Sequence, residues 1–173
     1  EACLRLPGID GKAKMSKSLG NCIYLAEDPK DIKKKVMSMF TDPNHIRIED
    51  PGSLEGNTVF TYLDAFCNDQ HFEEYLPDYK NLDELKEHYQ RGGLGDVKVK
   101  KFLNNVLQEE LEPIRKRREE LQKDIPYVYE VLKKGSEVAR ETAAQTLHEV
   151  RDAMKINYFD DMELIRSQAK KYE

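Results

Sequence analysis

Residues Pro7–Asn21 read PGIDGKAKMSKSLGN, and this stretch sets the terms for the rest of the chain. Lys14, Ser16, Lys17 and Ser18 bring two ammonium groups and two hydroxyls into five residues, with Met15 as the apolar member. Gly8, Gly11 and Gly20 bracket them, and three glycines so close together predict a mobile loop. Lysines and hydroxyls on such a loop suit a polyphosphate, whose negative charge grows on the leaving group during nucleotidyl transfer. A solvated Lys/Ser-rich surface loop has the same composition, so the remainder of the chain has to choose between the two.

The bulk numbers admit one domain, or one domain with a fragment of another, in 173 residues. Hydrophobic residues make up 39% and charged residues 35%, which fits helices with broad solvent faces. No apolar run approaches the roughly 20 residues that span a bilayer, so no membrane partner is expected. Cys3, Cys22 and Cys67 form no CxxC pair, and this sparse set points to a reducing compartment, hence the cytoplasm. His45, His71, His88 and His148 are scattered without ligand spacing, so no protein-held metal is expected. The formal net charge is −5, unevenly spread. Residues 1–35 and 97–123 each carry eight Lys/Arg against five Asp/Glu, whereas 42–96 carry four against thirteen. An acidic protein that binds phosphates has to do so through local basic patches such as these two.

Beyond the loop the pattern is helical throughout. Asp28-Pro29 opens a helix with Ile32, Val36 and Met39/Phe40 on one face, ended near Thr41-Asp42-Pro43. Residues 43–56 read as an irregular connection. Asn57 caps a helix to about Cys67, Gln70–Leu76 reads as a turn, and Leu82–Tyr89 mark a helix that Gly92-Gly93 ends. Asp96 is the natural cap of the longest segment, whose stripe is Phe102, Leu103, Val106, Leu107, Leu111, Ile114 and Leu121. Pro113 predicts a kink or break inside it. Pro126 opens a shorter helix to about Lys134, Gly135-Ser136 punctuates, and 137–156 form another, with a last piece over 160–171. The expectation is an all-α helical bundle of six or seven helices, with the loop in front of it.

Lys14-Met15-Ser16-Lys17-Ser18 matches, letter for letter, the KMSKS loop of class I aminoacyl-tRNA synthetases. Gly92–Lys98 followed by Leu111–Arg118 resembles the C-terminal helical region of the bacterial-type tryptophanyl members. So do DPKDIKKKVMSMFTDP (Asp28–Pro43) and Gly56–Phe60. The resemblance covers roughly residues 5–155. It implies that residues 1–26 end the class I catalytic domain and that 27–173 form the anticodon-binding-type helical domain. It also implies a two-step reaction: tryptophan and ATP, normally with Mg2+, give an adenylate, and the aminoacyl group then passes to tRNA(Trp). Lys14 and Lys17 become the catalytic cations, and Met15, Ser16 and Ser18 the rest of the ATP-binding loop. The family's enzymes are homodimers.

The family's dinucleotide-fold half, its HIGH-like motif and its tryptophan pocket lie upstream of this loop. The chain begins Glu1-Ala2-Cys3 without a Met and holds no HxGH pattern. The expectation is therefore an internal start, with Ala2–Leu6 the stub of a strand, and no activity from this chain by itself. Two alternatives remain: the equivalent region of a tyrosyl-tRNA synthetase, and a free-standing helical tRNA- or RNA-binding module. For tRNA, the candidate contacts are Lys98, Lys101 and Arg115, whose spacing allows a shared helix side. The alternative for any of the basic residues at 98–101 and 115–118 is pairing with Glu109, Glu110, Glu112, Glu119 or Glu120 at helical spacing.

Overall fold

A computed structural model describes residues 5–172. Among them the chain forms seven helices and no strand beyond a single antiparallel bridge, Pro7 with Lys14. The expected strand stub falls mostly on Ala2–Leu4, outside the described residues.

The first helices start where side chains satisfy the free N–H groups of the opening turn. In α1 (Pro29–Met37) the Asp28 carboxylate accepts from Lys30 N at 2.8 Å. In α2 (Thr58–Phe66) Asn57 accepts from Val59 N at 3.2 Å. In α4 (Leu82–Arg91) Asn81 accepts from Glu84 N at 3.0 Å, and Gly92, at φ +90°, ends the helix. Between α2 and α4, the predicted turn is a helix, α3 (Asp69–Tyr75). At seven residues it is too short to display periodicity. It is held by a reciprocal cap: Asn68 accepts from His71 N, and His71 Nδ1 accepts from Asn68 N at 3.1 Å.

At two positions where the sequence suggested an interruption the helix is continuous. Pro113, read as a kink or a break, does not end the long α5 (Asp96–Gln122). Proline removes one N–H and crowds the carbonyl four residues back, that of Glu109, and the helix continues past it for nine residues to Gln122. Likewise α6 (Ile125–Ala153) runs through Gly135, which costs about 1 kcal/mol relative to Ala but leaves the hydrogen-bond ladder intact. A short α7 (Met162–Ala169) follows.

The chain divides into two compact units, residues 1–120 and 121–173. In the first, Ile32 and Val36 of α1, Val59, Phe60 and Leu63 of α2, Phe72 of α3, Leu85 and Tyr89 of α4, and Val99, Phe102, Leu103, Val106, Leu107 and Leu111 of α5 form one core. The α5 stripe is buried only as far as Leu111; Ile114 is exposed. In the second unit, neither α6 nor α7 carries a buried residue.

The irregular connection 43–56 is pinned by a polar network. Asp96 Oδ1 accepts from the Tyr89 hydroxyl at 2.7 Å and lies 3.3 Å from His45 Nδ1, while Oδ2 accepts from Thr41 at 3.2 Å. Asn57 Nδ2 donates to the Tyr89 hydroxyl at 3.3 Å. Asp96 therefore ties α5 to α4 and to the connection. Gly52 lies under Tyr89, where a Cβ would come within 2.2 Å of the ring. Burial and the hydrogen bond to Asp96 both push the Tyr89 hydroxyl above its usual pKa, so it stays a donor.

Candidate functional site

The Pro7–Asn21 segment is a folded loop organised around a buried asparagine. Gly8 N donates to Ala13 O at 2.7 Å, Gly11 N to Gly8 O at 2.9 Å, and Ile9 N to Asn21 O at 2.9 Å. Asn21 is 3% exposed. Its Nδ2 donates to Asp10 Oδ1 at 3.1 Å and to the Lys14 carbonyl at 3.3 Å, and its Oδ1 accepts from Ser16 N at 2.8 Å. The Ser16 and Ser18 hydroxyls lie 2.9 Å apart. Gly11, at φ +68°, turns the chain beside Phe40.

The helical body grips this loop at three points. Tyr62 of α2 donates its hydroxyl to the Pro7 carbonyl at 2.8 Å and lies 3.4 Å from Met15 Sδ. Burial pushes that hydroxyl up to about 12, so it remains protonated. Phe40 N donates to Ile9 O at 2.9 Å. On the exit side, Lys35 of α1 donates to the Cys22 carbonyl at 2.8 Å, pairs with Glu27 and lies 4.8 Å from the centre of the Tyr24 ring. Against this fixed backbone, Lys14 and Lys17 are exposed. Neither ammonium takes part in an ion pair among the described residues, although Lys34, Lys35, Lys86, Lys98, Lys116 and Lys134 do. The loop thus presents two unneutralised cations and two hydroxyls from an ordered frame, an arrangement suited to an incoming polyanion.

The second candidate face is rearranged relative to the sequence expectation. Lys98 pairs with Asp78 at 2.9 Å and lies 5.4 Å from the centre of the Tyr79 ring, and the Asp78 hydrogen bond raises its pKa. Lys101 is exposed and shares with Lys98 a cleft of about 600 Å³ whose walls include His45, Arg47, Tyr79 and His88. Arg115 stands 17 residues further along α5, about 25 Å away at the helical rise, and its guanidinium is committed to the Gln108 carbonyl and side chain. The structure therefore joins Lys98 to Lys101 but not to Arg115. Sequence reasoning missed His45, Arg47 and His88, which come from an irregular connection and another helix and share no periodicity with Lys98. Lys116 pairs with Glu112 and Arg117 with Glu120, at the helical spacings expected. Lys100 reaches the Met37 carbonyl at 3.3 Å, and burial lowers its pKa.

Among the described residues, no group of three or more His, Cys, Asp or Glu is placed to hold a metal ion, and no helix is long and apolar enough to cross a membrane.

Residues 5–112 match the family model for class I tRNA synthetases (W and Y). The chain belongs to this family. Over 158 residues it is 65% identical to the tryptophan–tRNA ligase of Clostridium longisporum, covering 91% of this chain and 44% of that protein. Over 159 residues it is 58% identical to the ligase of Streptococcus mutans, covering 92% of this chain and 45% of that one. Among solved structures, the tryptophanyl-tRNA synthetase of Campylobacter jejuni complexed with ADP and tryptophan superposes with a TM-score of 0.65 at 27% identity. That match covers 87% of this chain and 43% of the other. The chain spans less than half the length of these synthetase relatives. The family match takes in the lysine loop, α1–α4 and α5 as far as Glu112.

Proposed function

We propose that this chain is the phosphate-loop and helical portion of a tryptophan–tRNA ligase, acting with a catalytic half of the kind its longer relatives contain. The observation that carries the reading is the pair of unneutralised ammoniums, Lys14 and Lys17, on a loop braced by Asn21 and Tyr62. The identity of 57–65% to ligases named for tryptophan supports tryptophan over tyrosine, and supports a ligase over a free-standing RNA-binding module.

In this reading the tryptophan carboxylate attacks the α-phosphorus of ATP. The bond from that phosphorus to the bridging oxygen breaks, and pyrophosphate leaves with the electron pair. Lys14 and Lys17 meet the β- and γ-phosphates, where charge accumulates, so their contacts strengthen as the bond breaks. The Ser16 and Ser18 hydroxyls donate to the same oxygens, and Met15 stays seated against Tyr62. Magnesium accompanies ATP as part of the substrate. Residues 1–26 serve as the end of the catalytic domain and residues 27–173 as its helical partner. The Lys98–Lys101 cleft faces tRNA(Trp), while Arg115 contributes by steadying α5. The assembled enzyme is a cytoplasmic homodimer.

The test is to exchange the matching 158 residues of the Clostridium longisporum ligase for this chain and measure tryptophan-dependent ATP–pyrophosphate exchange. The hybrid should be active, and the chain by itself should not be. Lys14→Ala or Lys17→Ala should lower kcat by about 100- to 1,000-fold, the size seen when a charge-stabilising donor is lost. Lysine variants that retain full exchange would refute the assignment.

A further inference from the structure

The phosphate loop has a residue at its centre that contacts no substrate in this reading and yet fixes the residues that do. Asn21 lies four positions after Lys17 and is almost wholly buried. Its amide uses both N–H donors, on Asp10 Oδ1 and the Lys14 carbonyl, and its oxygen accepts from Ser16 N. The last two contacts flank Met15, so one side chain holds both ends of the Lys14–Met15–Ser16 tripeptide. Its own carbonyl accepts from Ile9 N, closing the loop's entry onto its exit. Space is tight around it: a Cβ on Gly8 would fall 2.2 Å from Asn21 Nδ2.

The direction in which Lys14 leaves the backbone is set at its own carbonyl and at Ser16 N, the two atoms Asn21 holds. Lys17 follows through the Gly20 N–Lys17 O turn at 3.2 Å, which immediately precedes Asn21. A buried amide satisfied at three positions resists movement, because displacing it strands donors away from water. A Lys ammonium on a four-carbon stem is otherwise free to wander, and it stabilises a transition state only where its origin is fixed.

We propose that Asn21 is the positioning residue of the phosphate loop, setting the trajectories of Lys14 and Lys17 through the Lys14 carbonyl and Ser16 N–H. The proposal rests on the functional reading above. A donor set of this geometry cannot be supplied by Asp, which keeps the acceptor for Ser16 N but has no N–H and adds a second carboxylate beside Asp10.

The test uses the hybrid ligase, with a double-mutant cycle. Asn21→Ala and Asn21→Asp should each lower kcat for pyrophosphate exchange by about 100-fold, as expected for a misplacement near 1 Å, with the KM for tryptophan unchanged. In a Lys14→Ala/Lys17→Ala background the same substitutions should cost less than about threefold, because the groups they position are gone. Both substitutions should also lower the thermal unfolding midpoint, because each strands a buried partner of Asn21; the cycle with and without the lysines is the readout that a merely structural role would not move. The positioning role is overturned if Asn21→Asp keeps its rate while the lysine-free variant loses about 100-fold. It is equally overturned if Asn21→Asp costs the same factor with and without the lysines, which is the behaviour of a residue needed only for folding. A lysine-free variant with full exchange overturns the functional reading itself, and the positioning role falls with it.

Discussion

The two compact units of this chain carry amphipathic helices of similar sequence pattern and treat them differently. In residues 1–120, the apolar stripes of α1, α2, α4 and α5 converge until Leu63, Leu85, Leu103 and Val106 are fully shielded from water. In residues 121–173, Leu147 and Val150 of α6 and its C-cap Met154 follow the same three-and-four spacing, yet all stay exposed, as does Val138 about two and a half turns earlier. A stripe records that a helix has a face to bury; whether the face is covered depends on what packs against it. The functional loop belongs to the buried unit, and this is physically reasonable. An asparagine clamp needs a close-packed surround: Gly8 lies tight against Asn21, while Phe40 and Thr58 close on Gly11 and Tyr62 holds Pro7.

The largest expected effect tests that contrast directly. Leu103→Ala should destabilise the first unit by about 2–5 kcal/mol, through lost burial and the cavity left behind. Leu147→Ala in α6 should cost less than about 0.5 kcal/mol, as exposed positions do. Denaturant unfolding of the 173-residue chain measures both, and equal losses would break the comparison. Next comes the loop. Lys14→Ala should leave stability unchanged while removing about 100-fold or more of the exchange rate in the hybrid ligase, because Lys14 is exposed and its ammonium forms no ion pair among the described residues.

A smaller effect sharpens the account of α6. Gly135 sits inside that helix with open space where a Cβ would point. Gly135→Ala should therefore raise stability by about 0.5–1 kcal/mol, readable as added helicity by circular dichroism. The smallest effect concerns acid. Hydrogen bonds from Asn44 N and Ser53 N hold the Asp42 carboxyl below its model-peptide value of 3.8. A depressed carboxyl contributes stability that is complete above that value and lost as pH falls through the lower folded one. Asp42→Asn should flatten the acid limb of a stability–pH profile and leave the neutral limb's slope alone.

Much of this was legible in the chain itself. The loop was readable because its chemistry is contiguous: five residues carry the cations and hydroxyls, and no tertiary contact is needed to bring them together. The caps Asp28 and Asn57 were equally local, whereas Asp96, read as the cap of α5, is the first residue of that helix and spends its carboxylate on Thr41, His45 and Tyr89. The helix at Asp69–Tyr75 was not, because seven residues offer no period to read and its cap depends on a histidine side chain folding back. Gly135 misled because one glycine lowers helix propensity by only about 1 kcal/mol and leaves the ladder of backbone bonds unbroken. Pro113 costs more and removes one of those bonds, yet α5 continues beyond it.

What the sequence determined by itself is the inventory: an all-helical chain, the lysine loop and the family that loop belongs to. What tertiary structure alone decided is which side chains meet. Asn21 reaching both sides of Met15, Tyr62 gripping Pro7 from 55 residues away and Asp96 answering Thr41, His45 and Tyr89 have no signature in spacing. Arg115 spent on its own helix rather than aligned with Lys98 has none either. Periodicity reports which way a residue faces along one helix; partners across the core are fixed only when the helices pack and every buried polar group must find one.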